Sequence, residues 1–426
     1  MRFAVLLLFF ITLGLAVEPV LLVPGIFGTR LDYRLTCSDV SHPTLCGYSK
    51  KWDSLYANIG LVSKELILGC FSEAFSLHCD SRYKTCHPKK CFETRIHPNS
   101  LSAVSNLCGD NFACRNIALT KYFGTIIDLL VEHGYKRMTD VDAIPYDFRK
   151  SPDEWEKFFP VMLAKIRRLS KGNRKVHVLA HSNGGAVVTK FFTWMKNNHG
   201  QRLIDETINS AMLIATPIGG APIIPGAFLT GNLLASTIPW AHVSLPGKSI
   251  YELSKGLLGL TAIWPDPAVF GDIPIVKWTD GTVMTPGNAE TVLKKKGRDY
   301  LAKQVASIRK HHLSSYDMPV KNLFFAHGHD KLTTVKTWTI NKDNAPKPAS
   351  KFVTSSLFES GDGQVPFESI KYFYDKWCIG DTSCVMKSYV TDHNSIVSDK
   401  NFLRDMLRHL NISNVNEMAL ESISIQ

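Results

Sequence analysis

No stretch of this 426-residue chain is long and apolar enough to cross a bilayer as a helix, which takes about 20 consecutive residues. The apolar run Phe3–Ala16 falls short, and the later runs Leu203–Ala215 and Ala211–Leu234 are interrupted by charge, Pro and Gly. Internal repeats and low-complexity tracts are missing, which excludes solenoid, collagenous and disordered classes. C-x-x-C pairs are missing as well. The cluster Cys79, Cys86, His87, Cys91 therefore matches no familiar zinc spacing. Acidic residues are the scarcer charge, 38 against 49 Lys and Arg, a formal net +11.

What is present begins with a leader. Met1-Arg2, the short apolar run and the small Gly14 and Ala16 describe a signal peptide over residues 1–16. The expected product is a soluble protein of the secretory pathway. In that oxidising compartment ten cysteines read as disulfides, with no metal expected. Local bridges Cys108–Cys114 and Cys378–Cys384 are sterically easy, while the pairing of Cys37, Cys79, Cys86 and Cys91 stays open. The basic excess points to anionic membrane surfaces and not to nucleic acid, although runs such as Lys294-Lys295-Lys296 serve equally as solubilising charge. Asn411-Ile412-Ser413 is the sole N-x-[ST] triplet, so Asn411 is the expected glycan acceptor.

Apolar periodicity alternates between strand and helix. Pro19–Val23, Val141–Tyr146, Val176–Ala180, Ala211–Ala215, Leu323–Ala326, Lys351–Phe358 and Met386–Val390 read as strands. Helices are expected over 121–133, from Pro152 behind the capping box Ser151-Pro152-Asp153-Glu154 with a kink at Pro160, over 186–196 and over 397–410. Wholly apolar strands alternating with helices predict an α/β fold with a parallel sheet covered on both faces. Two segments break the rhythm, the cysteine-rich 37–115 and the Gly-, Pro- and Trp-rich 221–318. Both read as insertions on the core, the second as a cap.

The chemistry centres on His181-Ser182-Asn183-Gly184-Gly185, which follows a strand and opens a helix. That setting is the one a nucleophile elbow requires, with Ala180 in place of the first Gly of G-x-S-x-G. The bland alternative is that Ser182 caps the helix. A serine nucleophile needs a base and an orienting carboxylate, in the chain order Ser, Asp, His on this kind of core. Asp362, flanked by Gly361 and Gly363, and His393, between the last strand and last helix, satisfy that order. His311, His312, His327 and His329 all precede Asp362 and break it. Oxyanion charge would rest on two backbone amides, Asn183 at the helix start and Ile26 in the loop Pro24–Gly28.

With these residues assembled, the chain resembles the lecithin:cholesterol acyltransferase family, whose other branch is the lysosomal (group XV) phospholipase A2. The match is carried by Pro19–Gly28, Tyr122 with Gly134-Tyr135, Pro145-Tyr146-Asp147-Phe148-Arg149, Ala180–Gly184, Ala215–Gly220, Gly361–Gly363 and His393. The resemblance implies an α/β-hydrolase core, a lid, and a small disulfide-closed membrane-binding subdomain. It implies a Cys46–Cys70 bridge around that subdomain and places Trp52 at the family's tryptophan position. Leu55, Tyr56, Ile59 and Leu61 would then supply apolar surface to membrane or substrate. Asn183 and Phe148 depart from the family's usual apolar residue and Trp.

The expected activity is serine-dependent transfer of a fatty acyl group from glycerophospholipids through an acyl-enzyme, without cofactor, to water or a lipid alcohol. A lysosomal acyl-thioesterase would use the same three residues. A non-catalytic lipid-binding protein on a retired core is the alternative from another class.

Overall fold

The computed structural model describes residues 17–412, 416 and 420, except 57, 59–60, 62–63, 65–68, 81–84, 110–120, 232–246, 310–311, 330–334, 346, 350, 358–359 and 382. The expected signal peptide, Ile59 and Cys114 thus lie outside the described residues. Six strands form the central sheet in the order Val385–Tyr389, Leu323–Gly328, Ile208–Ile214, Val176–His181, Val20–Val23, Val141–Ala143, every pair parallel. Successive side chains of a strand point to opposite faces. Leu21, Val23, Val178, Ala180 and Leu213 join one core, while Val20, Leu22, Leu179, Met212 and Ile214 join the other. Because both faces of the four inner strands are buried, those strands show no polar alternation, whereas the edge strand Val385–Tyr389 exposes Lys387 and Ser388. The helices Gly124–Glu132 and Lys400–His409 cover one face, Phe159–Leu169 and Asn183–His199 the other.

The structure departs from the periodicity in two places. The helix expected from Pro152 is two elements, a 3-10 turn Pro152–Lys157 and a helix Phe159–Leu169 that starts afresh with Pro160 in its first turn. Proline lacks an amide hydrogen, so it sits comfortably where a helix begins and breaks one elsewhere. The Ser151 hydroxyl accepts from the Asp153 amide at 3.3 Å, and Glu154 pairs with Lys150 and Lys157 instead of closing a capping box. The strand Lys351–Leu357 lies outside the central sheet. It pairs with Val335–Lys342, which continues to Val276–Trp278 and Val283–Met284 in a second, four-stranded sheet. The Trp338 indole of that sheet donates to the Pro222 carbonyl at 3.1 Å, tying it to the segment after the central strand Ile208–Ile214.

The cysteine-rich segment folds back on the strand Leu31–Leu35, which is flanked by Asp53–Ser54 and Phe92–Ile96. Disulfides Cys37–Cys91, Cys46–Cys70 and Cys79–Cys86 close it, and Cys378–Cys384 closes a distant loop. Cys108 is also disulfide-bonded. Leu55 and Leu61, expected to offer apolar surface, are 0% and 2% exposed and belong to the core. Sequestered there, they give a membrane nothing to touch. Trp52 is half-buried, its ring faced by the guanidinium groups of Arg34 and Arg95 at 4.8 and 4.1 Å. Tyr56 is buried but faces the cavity described below. Asn411 is exposed at the end of the last helix. Among the described residues no helix is long and apolar enough to cross a membrane.

Candidate active site

The strand Val176–His181 hands over to the helix Asn183–His199 through one residue, Ser182, whose backbone lies at φ 53°, ψ −130°. A non-glycine residue in that region is strained and must be held there by its surroundings. The Ser182 amide donates to the Ile214 carbonyl of the next strand at 2.8 Å, and the Gly185 amide to the Ser182 carbonyl at 3.0 Å. Gly184 lets the helix start press on the first strand: a Cβ there would lie 2.4 Å from the Val23 carbonyl oxygen. The Ser182 side chain makes no capping hydrogen bond. It points elsewhere.

The Ser182 hydroxyl lies 2.9 Å from His393 Nε2, and His393 Nδ1 lies 2.7 Å from Asp362 Oδ2. A carboxylate only accepts, so Nδ1 carries the hydrogen and Nε2 is left to accept from the serine hydroxyl. Asp362 is fully buried; its other oxygen accepts the amides of Gln364 at 3.0 Å and Val365 at 2.8 Å. Burial alone would raise its pKa. The neighbouring His393 imidazole and these amides outweigh that and hold the carboxyl below its ordinary value. The loop carrying His393 is tied by Asp392, whose carboxylate accepts the amides of Asn394 and Ser395, each at 2.9 Å. Such an arrangement can move a proton from Ser182 to His393 while Asp362 offsets the charge that forms.

Beside the hydroxyl, Gly25–Gly28 makes a turn closed by the Gly28 amide on the Gly25 carbonyl at 3.1 Å. A Cβ on Gly25 would come within 2.6 Å of Ser182 Cβ, so this turn abuts the serine. The Ile26 amide and the Asn183 amide, the first of its helix, donate to no carbonyl among the described residues. Ile26 follows Gly25, which abuts Ser182, and Asn183 follows Ser182 directly. Asn183 is buried, its side-chain amide donating to the Tyr146 hydroxyl at 3.1 Å.

These groups open on a cavity of about 250 Å³. Its walls are mostly apolar, with Ile223, Ile224, Leu260 and Ile263 on one side, while Gln364, Asn394 and Ser395 make a polar edge near His393. The volume is below the roughly 300–1,000 Å³ of pockets that engulf a drug-sized ligand. No group of three His, Cys, Asp or Glu positioned for a metal occurs among the described residues.

Two residues at the site were not singled out for chemistry from sequence. His181 is 2% exposed; its Nε2 lies 2.9 Å from the His393 carbonyl and its Nδ1 2.7 Å from the Tyr122 hydroxyl. Burial, then the nearby His393, pushes its pKa down to about 3, so the ring is neutral. Tyr122 in turn accepts the Gly25 amide at 3.0 Å. The sequence signal for His181 was weak, because the same strand Val176–His181 also carries His177.

Residues 109–270 match the model of the lecithin:cholesterol acyltransferase family. The chain is 27% identical over 212 residues to lysosomal phospholipase A and acyltransferase from Bos taurus, covering 48% of each chain. Against the protein of that name from Homo sapiens it is 26% identical over 270 residues, 61% of each. With phosphatidylcholine-sterol acyltransferase from Mus musculus it shares 23% over 277 residues, 62% of this chain and 58% of the relative. The chain thus spans about half to three fifths of the length of these three relatives. A chain from the crystal structure of the Tle4–Tli4 complex shares the fold, with a TM-score of 0.53 at 14% identity over 94% of this chain and 99% of that one.

Proposed function

We propose that this chain is a serine acyl hydrolase and O-acyltransferase that acts on glycerophospholipids. The observation that carries the reading is the hydrogen-bonded series Ser182, His393, Asp362 opening on an apolar cavity. Ser182 Oγ bonds to the carbonyl carbon of a fatty-acyl ester as its proton passes to His393 Nε2. The electron pair moves onto the carbonyl oxygen, where the Ile26 and Asn183 amides receive it. On collapse the bond to the glycerol oxygen breaks, His393 protonates that oxygen, and lysophospholipid leaves. A water or a lipid hydroxyl then attacks the acyl-enzyme, giving free fatty acid or a new ester.

The apolar wall formed by Ile223, Ile224, Leu260 and Ile263 suits an acyl chain, and the polar edge suits the glycerol ester or acceptor hydroxyl. The bovine and human relatives are named for both activities. The word lysosomal in those names, together with the disulfides, supports passage through the secretory pathway to the lysosome or beyond.

The test is incubation of wild type and Ser182→Ala with phosphatidylcholine vesicles holding a long-chain alcohol, at about pH 5 and about pH 7.5. Mass spectrometry should detect fatty acid, lysolipid or acylated alcohol from wild type alone. Turnover of acyl-thioesters without any of phospholipid would sink the phospholipid assignment. Equal products from both proteins would sink the serine mechanism.

A further inference from the structure

Tyr122 carries a bulky side chain on a backbone at φ 43°, and Phe27 lies at φ 62° in the turn that Tyr122 touches. Bulky residues rarely take either conformation, and strain of this kind persists only where the surroundings over-determine it. Tyr122 supplies that constraint from both ends of the turn. Its hydroxyl accepts the Gly25 amide at 3.0 Å, and its ring packs so closely on Gly28 that a Cβ there would lie 2.7 Å from Tyr122 Cε1. Between those two glycines lie Ile26 and Phe27.

The direction of every hydrogen bond in the group follows from its neighbours. The His393 carbonyl can only accept, so His181 Nε2 carries the hydrogen. The ring is neutral, which leaves Nδ1 as an acceptor, and the Tyr122 hydroxyl must donate to it. The phenolic oxygen remains free to accept from the Gly25 amide. One chain of hydrogen bonds thus runs from the turn, through Tyr122 and His181, to the backbone of His393.

Resting on the serine-hydrolase reading, we propose that Tyr122 and His181 are positioning residues that hold the Gly25–Gly28 turn, and with it the Ile26 amide, at the distance an oxyanion requires while fixing the backbone of His393. Neither residue exchanges a proton with substrate. A misplaced donor stabilises the transition state less than a placed one, and it barely alters binding of the ground state.

The variant Tyr122→Phe keeps the ring on Gly28 and removes only the oxygen. Active enzyme is counted by fluorophosphonate labelling of Ser182, and kcat is expressed per labelled serine, so loss of folded protein does not enter. Removal of an oxyanion donor costs about 10²–10³ in kcat; displacement should cost about 10- to 100-fold. KM should stay within about 2-fold, as should the shape of the pH profile, since His393 and Asp362 are untouched. His181→Leu, which removes both the donor to the His393 carbonyl and the acceptor for Tyr122, should show a loss at least as large. The double variant should be no worse than the poorer single, because both break one chain. A wild-type kcat per labelled serine in Tyr122→Phe, or losses that multiply in the double variant, would overturn the relay. Wild type that neither labels nor turns over ester would overturn the hydrolase reading instead. The relay would then be judged by 15N NMR of labelled histidine: an Nε2–H tautomer at His181 whose Nδ1 resonance moves in Tyr122→Phe supports it, and an Nδ1–H tautomer overturns it.

Discussion

His393 meets Asp362 twice. Its backbone amide donates to the Asp362 carbonyl at 2.8 Å, and its Nδ1 donates to the carboxylate of the same residue at 2.7 Å. One residue therefore sets both the position of the imidazole and its tautomer. Asp362→Asn preserves the shape, but an amide that donates would turn the ring to the wrong tautomer. We expect kcat to fall about 10⁴-fold with folding retained. A loss under 10-fold in the steady-state rate per folded molecule would show that the carboxylate does not orient the base. Its depressed pKa also means that Asp362 contributes stability above the ordinary carboxylate range, which is lost as pH falls through the folded value.

Buried histidines add a second, separable pH dependence. His181, His327 and His409 have pKa values pushed down by burial to about 3, 4 and 4. Unfolded histidine titrates near 6.5. Between about pH 6.5 and 4 the unfolded chain therefore binds more protons than the folded one, and stability falls on acidification. Each such group contributes at most about 1.4 kcal/mol per pH unit across that window. His327 offers the cleanest test: neither ring nitrogen has a hydrogen-bond partner among the described residues, and its ring lies 5.0 Å from that of Phe367. His327→Leu should flatten the fall in urea midpoint between pH 7 and pH 4.5. An unchanged slope would mean that the ring is already charged in the folded protein.

The central sheet was legible because a strand buried on both faces must be apolar at every position, and Val176–Leu179 and Ala211–Ile214 are nearly so. Chain order, with the Gly-flanked loop of Asp362 and the strand-to-helix position of His393, singled out the two residues that the structure brings to Ser182. Lys351–Leu357 was misassigned to that sheet because strand character says nothing about which sheet a strand joins. Leu55 and Leu61 were read as surface on the family resemblance alone, since an irregular segment carries no period to reveal a buried side. Tyr122 and His181 were unreadable for a different reason. Their partners are 97, 59 and 212 residues away, and no local pattern encodes such contacts.

Arg149 explains why the motif Asp147-Phe148-Arg149 matters to the cysteine-rich segment. Its fully buried guanidinium holds both oxygens of Asp147 at 2.9 and 2.8 Å, and reaches across to the Phe75 carbonyl and the Thr94 hydroxyl, each at 2.8 Å. Removing one partner leaves the other charge without compensation. Arg149→Met should cost about 3–5 kcal/mol of stability. Arg149→Lys should fall between wild type and Met, since an ammonium cannot span both carboxylate oxygens and the two further acceptors. Pairing Arg149→Met with Asp147→Leu should recover part of the loss. Thermal midpoints that drop further in the double variant would refute the account.

The cavity predicts chain-length selectivity. Ile224, on the helix Ile223–Thr230, lines the apolar wall and is 3% exposed. If the proposed phospholipid substrate lays its acyl chain along this wall, Ile224→Trp fills that space and leaves the serine, His393 and the polar edge in place. Single methylene mismatches in apolar pockets change kcat/KM by about 10- to 200-fold. Hydrolysis of long-chain esters should therefore fall about 10-fold or more, while short-chain esters, which end before the wall, should change under about 3-fold. Ile224→Ala should move selectivity toward longer chains, because the added volume becomes available to them. Competition between short- and long-chain esters in one vessel reads the ratio directly, free of differences in active enzyme. An equal change for both chain lengths would place the acyl chain outside this cavity, and the polar edge at Gln364 and Asn394 would then be the next surface to probe.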